Sequence, residues 1–268
     1  MSAPQRLHVP VKSVGYVPVQ NEVELFSAAH AAALPVLLKG PTGVGKTRFV
    51  EHMAERLDLP LITVPCHEDL TAADLVGRYL LQGNQTVWVD GPLTRAMRTG
   101  AICYLDEVVE ARADTIVVLH PLMDHRRELH IERLGESLRA PASFMLVLSY
   151  NPGYQSLMKD LKASTRQRMI AIDFAFPPAH VELEVLTSLY AIDRSYAEQL
   201  IRLAGAIRRL DDEGLSEAAS TRALVSAGKL HRGGMSGRDS AVAAIASPLS
   251  DDEEVRRGLV ELIDTYLT

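Results

Sequence analysis

Residues 40–47 read Gly-Pro-Thr-Gly-Val-Gly-Lys-Thr, the spacing of glycines, lysine and hydroxyl that a polyphosphate requires. Gly40, Gly43 and Gly45 let the backbone wrap closely around an anion. Lys46 is expected at the β- and γ-phosphates of a nucleoside triphosphate such as ATP, with Thr47 placing its hydroxyl on Mg²⁺. Pro41, Thr42, Val44 and Arg48 complete the contact stretch. An apolar run at 34–38 leads in like a buried strand, and 47–57 leads out like an amphipathic helix. The phosphates then lie over a helix N-terminus, where free N–H groups and the dipole favour negative charge. Strand, loop and helix agree, which argues against a chance glycine turn.

Further along, Asp106-Glu107 ends the apolar run 101–105. Carboxylates at the carboxyl end of a buried strand face the crevice where open α/β sheets bind ligands. Asp106 is expected to hold the hydration shell of Mg²⁺, and Glu107 to orient and polarise an attacking water; a hydrolase needs that pair, whereas a kinase does not. Asn151 ends the next apolar run, where its amide can reach the γ-phosphate or the water. Arg166 and Arg168 precede the last run and are better placed to reach a neighbouring subunit's nucleotide than their own. Arginine there stabilises charge developing on the transferred phosphoryl group. Arg222 follows Ser220-Thr221, either of which can cap a helix. A cation in a first helical turn is mildly unfavourable, which points to an anionic partner.

These residues need a parallel sheet to bring them together. Strand-like runs at 36–39, 61–65, 101–105, 144–149 and 170–174 alternate with helical stretches, the pattern of an α/β core with five parallel strands between helices. Pro177-Pro178 breaks the pattern. Beyond it, Leu200, Leu203, Ile207 and Leu210 form one helical stripe, and Leu259, Leu262, Ile263 and Tyr266 another, opened by the acidic run 251–254. The expected domains are an arm at 1–13, a core at 14–177 and a helical lid at 178–268. Two hairpins are expected within the core, at about 79–90 and 128–139.

Composition narrows the function classes. The chain has 268 residues, 47% hydrophobic and 23% charged, with a net charge of −6. That balance offers no basic field for nucleic acid. No apolar stretch approaches the roughly 20 residues of a membrane span, and no signal peptide is visible. Cys66 and Cys103 fall in apolar runs and read as buried thiols, so the expected location is the cytoplasm. His67, His120, His125 and His130 match no zinc spacing and read as packing or surface histidines.

Phosphate loop, Asp106-Glu107, Asn151, the late arginines and Arg222, in that order, resemble an AAA+ ATPase. The hairpins, with Cys66 to Leu70, Asp74 to Leu80, Asp90 to Leu93, Tyr104 to Arg112, Ser149 to Gln155 and Ser220 to Arg222, resemble the MoxR branch and its NorQ/CbbQ subgroup. The resemblance covers 14–268. It implies an AAA+ αβα core with a small all-helical lid, ATP and Mg²⁺ as ligands, and homo-hexamers with ATP at subunit interfaces. Asp106 and Glu107 would form the Walker B pair, Asn151 sensor 1, Arg168 the arginine finger with Arg166 as a second, and Arg222 sensor 2. It also implies a von Willebrand A domain adaptor of the CbbO/NorD type. The client would be Rubisco, freed of inhibitory sugar phosphates, or alternatively nitric oxide reductase.

Three other classes stay in view. A small-molecule P-loop kinase would work as a monomer with arginines from its own lid. A nucleic-acid motor would need the basic strip that is missing. A nucleotide-switched scaffold would keep its function without Glu107.

Overall fold

A computed structural model describes residues 15–152, 161–211 and 218–267. The expected arm at 1–13, and Gly153, Tyr154 and Gln155, lie outside the described residues. In chain order the core elements are α1 (Glu22–Ala31), β1 (Val36–Lys39), α2 (Lys46–Arg56), β2 (Leu61–Pro65), α3 (Ala72–Val76), β3 (Gly77–Gln82), β4 (Gln85–Asp90), α4 (Pro92–Thr99) and β5 (Ile102–Asp106). They continue with α5 (Ala113–Val117), β6 (Glu128–Ile131), β7 (Glu136–Arg139), β8 (Met145–Tyr150), α6 (Ala163–Arg166) and β9 (Ile170–Asp173). Helices follow: α7 (Ala179–Glu184) with a π-helical turn (Val185–Leu189), α8 (Arg194–Asp211), α9 (Thr221–Arg232), α10 (Gly237–Ala241), α11 (Ser247–Leu249) and α12 (Glu253–Tyr266).

The main sheet has five strands in the order β2-β5-β8-β1-β9, and every pairing is parallel. Sequence placed all five strands, with edges shifted by one residue. Asp106 and Tyr150 belong to their strands, whereas Ala101, Phe144 and Phe174 do not. Burial on both faces follows from the alternation of side chains along a strand. Leu37, Cys103, Leu105, Leu146 and Leu148 pack on one face, with Leu93 and Met97 of α4. Val36, Leu38, Ile102, Tyr104, Met145 and Val147 pack on the other, against Phe26 of α1 and Phe49, Val50 and Met53 of α2. Each fully buried large side chain of this kind stabilises the fold by roughly 1.5–3 kcal/mol relative to exposure.

Both hairpins form antiparallel pairs, β3 with β4 and β6 with β7. Gly83, in the tight turn of the first, has φ 61°, and Gly135, in the turn of the second, has φ 63°. The hairpins touch. Tyr79 Oη donates to Arg133 O at 3.4 Å, and Arg98 bridges Asp90 and Glu136 at 2.9 Å each. Leu80, Leu81, Val87 and Val89 of the first hairpin are exposed, Leu81 by 76%.

The C-terminal helices have their own core. Leu200, Leu203 and Ile207 of α8 meet Leu224 of α9 and Leu259 and Ile263 of α12. Asp252 opens α12 by accepting from the N–H groups of Glu254 and Val255 at 2.8 and 3.0 Å, as the acidic run predicts.

The segment that leads into α1, residues 15–20, is pinned to the helix start by one buried carboxylate. Glu22 accepts from Tyr16 Oη at 2.7 Å, Val19 N at 2.7 Å and Gln20 N at 2.8 Å. Burial raises the Glu22 pKa, but the bonds from the Val19 N–H and the Tyr16 hydroxyl outweigh it, so the net shift is downward. A lowered folded-state pKa means stability that is present above the unfolded carboxylate value and lost as pH falls through the folded one. Glu22→Gln is therefore expected to cost about 1–3 kcal/mol at neutral pH. In denaturant titrations the gap to the parent chain should narrow below about pH 4. A gap that persists unchanged at low pH would contradict this.

Candidate ATP site

The phosphate loop leaves β1 at the point where the sheet order turns back on itself, since β1 has β8 on one side and β9 on the other. Gly40 has φ 148°, and a Cβ there would stand 2.1 Å from Phe174 O, so only glycine lets the loop leave the sheet. Gly45 precedes α2 with φ 103°. The first turn of α2 carries Lys46, Thr47 and Arg48 and no acidic residue. A positive helix end is thus lined with further positive charge, an arrangement suited to an anion.

Lys46 is buried. Its Nζ donates to the carbonyls of Gly40 at 2.6 Å and Pro41 at 2.9 Å. Burial lowers its pKa, partly offset by the charges of Glu107 and Asp106. A buried ammonium held by two carbonyls, with two carboxylates nearby, fits a triphosphate better than it fits an apolar ligand.

The carboxylates stand on a hydroxyl network. Asp106 Oδ1 accepts from Ser149 Oγ and Tyr104 Oη, each at 2.6 Å. The two hydroxyls lie 3.1 Å apart, side by side on that carboxylate. Burial first, then Asp106, pushes the Tyr104 pKa up, so the phenol stays a neutral donor. Asp106 Oδ2 is left facing Thr47, whose Oγ1 lies at 3.3 Å. Paired hydroxyl and carboxylate oxygens suit a hard, hydrated divalent cation, so the donor set fits Mg²⁺.

Glu107 adopts φ 58°, ψ 50°, a left-handed conformation uncommon for a residue with a Cβ. Its N–H is held by Ser149 Oγ at 3.1 Å. The twist turns the side chain out of the sheet toward the crevice. Burial, together with Asp106 and Glu110, raises its pKa against the pull of Lys46 and Arg222. A carboxylate tuned upward in this way is a better proton acceptor near neutral pH.

One cavity of about 980 Å³ brings these groups together. Residues 42–48, Asp106, Glu107 and Arg222 line it. Apolar side chains also line it, Val17, Val181 and Leu189 among them. The C-terminal helices reach the loop directly. Ser220 caps α9 by accepting from Ala223 N at 3.2 Å, and Arg222 N donates to Gly43 O at 3.3 Å. A Cβ on Gly43 would come within 2.6 Å of Ser220, so this glycine permits the contact.

The remaining expected residues stand outside that cavity. Asn151 is buried beside the loop, its Nδ2 3.5 Å from Thr42 Oγ1. Arg166 and Arg168 are exposed on and just after α6 and are not among the cavity's lining residues. Arg168 donates to Ser164 O at 2.8 Å. Cys66 and Cys103 are buried thiols, each with its pKa pushed up by burial to about 12.

Sequence reading missed Tyr104 and Ser149. The signal was present in the strand period: Tyr104 lies two residues before Asp106 on one strand, and Ser149 two before Asn151 on its neighbour. Each therefore faces the same side of the sheet as the residue it precedes.

Two family profiles match the chain. The AAA domain of the dynein-related subfamily matches residues 35–169, and the CbbQ/NirQ/NorQ C-terminal domain matches 182–266. The chain belongs to the CbbQ/NirQ/NorQ family of AAA ATPases. It is 59% identical to the protein NorQ of Paracoccus denitrificans over 247 residues, 92% of each chain. It is 55% identical to the denitrification regulatory protein NirQ of Stutzerimonas stutzeri, over 92% of this chain and 90% of the relative. It is 53% identical to the protein CbbQ of Hydrogenophilus thermoluteolus, over 91% of each. Among solved structures, a RuvB mutant from Thermotoga maritima superposes with a TM-score of 0.58 at 15% identity, covering 94% of this chain and 73% of that one. A putative ATPase from Cytophaga hutchinsonii superposes with a TM-score of 0.53 at 19% identity, covering 92% and 82%. At these identities the structures share the fold alone. Family membership makes the chain an ATP-binding ATPase and sets aside the small-molecule kinase.

Ser149 joins Asp106, Glu107 and Tyr104, so its loss should disturb hydrolysis more than binding. Ser149→Ala is expected to lower the ATPase turnover by on the order of 10–100-fold, as displaced catalytic groups do. ATP affinity should stay within a few-fold, measured by titration beside steady-state rates. Unchanged turnover in the folded variant would remove the network from the mechanism.

Proposed function

We propose that this ATPase is a remodelling motor of the MoxR type, working as a homo-hexameric ring with a von Willebrand A domain adaptor of the CbbO/NorD kind. The supporting observation is the split in its charged groups. Lys46, Asp106, Glu107 and Arg222 surround one cavity, while Arg166 and Arg168 lie outside the cavity of their own chain. In this reading the core is 14–177 and the lid 178–268.

ATP would lie with its base against apolar walls such as Val17, Val181 and Leu189 and its phosphates over residues 40–48. Lys46 would leave the Gly40 and Pro41 carbonyls for the β- and γ-phosphate oxygens. Thr47 and Asp106 would hold Mg²⁺, which neutralises charge on those oxygens. Glu107 would orient a water and draw off its proton in line with the γ-phosphate. Asn151 would steady that water or the γ-phosphate, and Arg222 would meet the same phosphate from the lid. Arg168, with Arg166 second, would enter the neighbouring subunit's site and stabilise the charge of the transition state. Movement of the lid would pass through the linked hairpins, whose exposed leucines and valines offer a surface for a partner.

The client in this reading is Rubisco, released from inhibitory sugar phosphates in the cytoplasm. A second client has its own support. NorQ at 59% and NirQ at 55% identity stand beside CbbQ at 53%, so activation of nitric oxide reductase is kept as the second reading with neither client singled out.

Complementation between broken subunits tests the motor. Arg168→Ala and Lys46→Ala chains should each be inactive alone, losing on the order of 10³-fold, the scale of an arginine supplied in trans. Mixed, they should regain part of the rate, because some interfaces then hold an intact loop and an intact finger. Absence of rescue at every ratio, with assembly intact, would contradict a shared site. The parent motor with adaptor and ATP, added to inhibited Rubisco or to immature nitric oxide reductase, assigns the client by which enzyme recovers.

A further inference from the structure

Glu182 of α7 is 1% exposed, although it is a carboxylate on a helix. Its two oxygens accept from both terminal nitrogens of Arg208 of α8, at 2.7 and 2.9 Å. The third donor of that guanidinium, Nε, binds Ala219 O at 2.9 Å. Glu182 Oε1 also accepts from Thr221 Oγ1 at 2.6 Å. The flat face of Arg208 lies 4.2 Å over the ring of Phe176, in the segment that joins the sheet to the helices. One half-buried guanidinium and one buried carboxylate thus tie together the entry segment, α7, α8 and the start of α9.

The position of these ties along the chain matters more than their number. Ala219, Ser220, Thr221 and Arg222 are consecutive. Arg208 holds the first, Ser220 caps the helix, Glu182 holds the third, and the fourth lines the ATP cavity with its N–H on Gly43. Residues 219 and 221 are fixed from the helical side, so the height and rotation of the first turn of α9 over the phosphate loop are set by the Glu182–Arg208 pair. A general need to join helices would be met by apolar packing, which the neighbouring core already supplies. A fork-to-fork ion pair adds direction, since only one orientation of the two planes satisfies all its bonds.

We propose that Glu182, Arg208 and Thr221 are positioning residues for ATP hydrolysis, a clamp that carries the geometry of the sheet–lid joint to Arg222. The inference rests on the reading that Arg222 meets the γ-phosphate. It assigns to the clamp the discrimination of ATP from ADP, because only ATP offers the phosphate that Arg222 would touch.

The test is titration of ATP and of ADP, each with Mg²⁺, into the full chain carrying Glu107→Gln to suppress turnover. In that background Arg222→Ala is expected to weaken ATP by about tenfold, one charge-assisted hydrogen bond's worth, and to leave ADP nearly unchanged. Thr221→Val keeps the shape and the Glu182–Arg208 pair, and is expected to reduce the ATP-over-ADP preference by about threefold or more. Combined with Arg222→Ala it should add nothing, the mark of two residues acting in one chain of contacts. Arg208→Lys, which loses the fork, should match Arg222→Ala. If it fails to fold, Thr221→Val decides alone. Equal weakening of ATP and ADP, or effects that add to Arg222→Ala, would reduce the clamp to a stability element and overturn the proposal. Should Arg222→Ala itself leave the preference intact, the role of Arg222 falls, and the clamp's role with it.

Discussion

Strand β1 is hydrogen-bonded along its length to β8 on one side and β9 on the other, and the ATP site hangs from that strip. Parallel pairing sends the carboxyl ends of neighbouring strands to one edge of the sheet, so the loop after β1, the carboxylates of β5 and Asn151 after β8 become neighbours from distant places in the sequence. Burial on both faces fixes the register, because a shift of one residue would exchange the two buried faces. Val36, Leu38 and Leu37 then hold the loop as firmly as the core is packed.

On this frame sits a set of charges that are costly as they stand. Lys46 is buried on two carbonyls, Glu107 is held in a left-handed backbone conformation, and Asp106 is fixed by two short hydroxyl contacts. Positive and negative groups face each other across the cavity without a direct ion pair between Lys46 and either carboxylate among the described contacts. A phosphate with its cation would satisfy both sides at once. Such preorganised, incompletely matched charge is how an active site lowers a barrier, since the groups need not reorganise when charge develops. Arg222 lies on α9 rather than on the sheet, so closure of the site is tied to the packing of the helices.

What was legible in the sequence was what depends on near neighbours. The phosphate loop is a contiguous octet, and each strand of the sheet announced itself as an apolar run. The cap of α12 was visible in the acids at 251–254. Asp106, Glu107 and Asn151 could be placed because strand ends converge in any parallel sheet. Tyr104 and Ser149 were passed over because a tyrosine and a serine in apolar strands carry no distinctive spacing. Their meaning comes only from the pairing of β5 with β8. Glu182 and Arg208 were invisible for a stronger reason: a glutamate and an arginine on two helices read as solvated surface until the tertiary packing buries the carboxylate and lays the guanidinium over it. The client is illegible for another cause, since none of the residues that define the ATP site faces it.

In the proposed ring, ATP is hydrolysed between subunits. The direct measurement is ATPase rate per subunit against protein concentration, with mass determined in parallel in the presence and absence of ATP. A shared site requires a rate per subunit that rises as hexamers form and levels off once assembly is complete. A rate independent of concentration, sustained by a monomer, would contradict it.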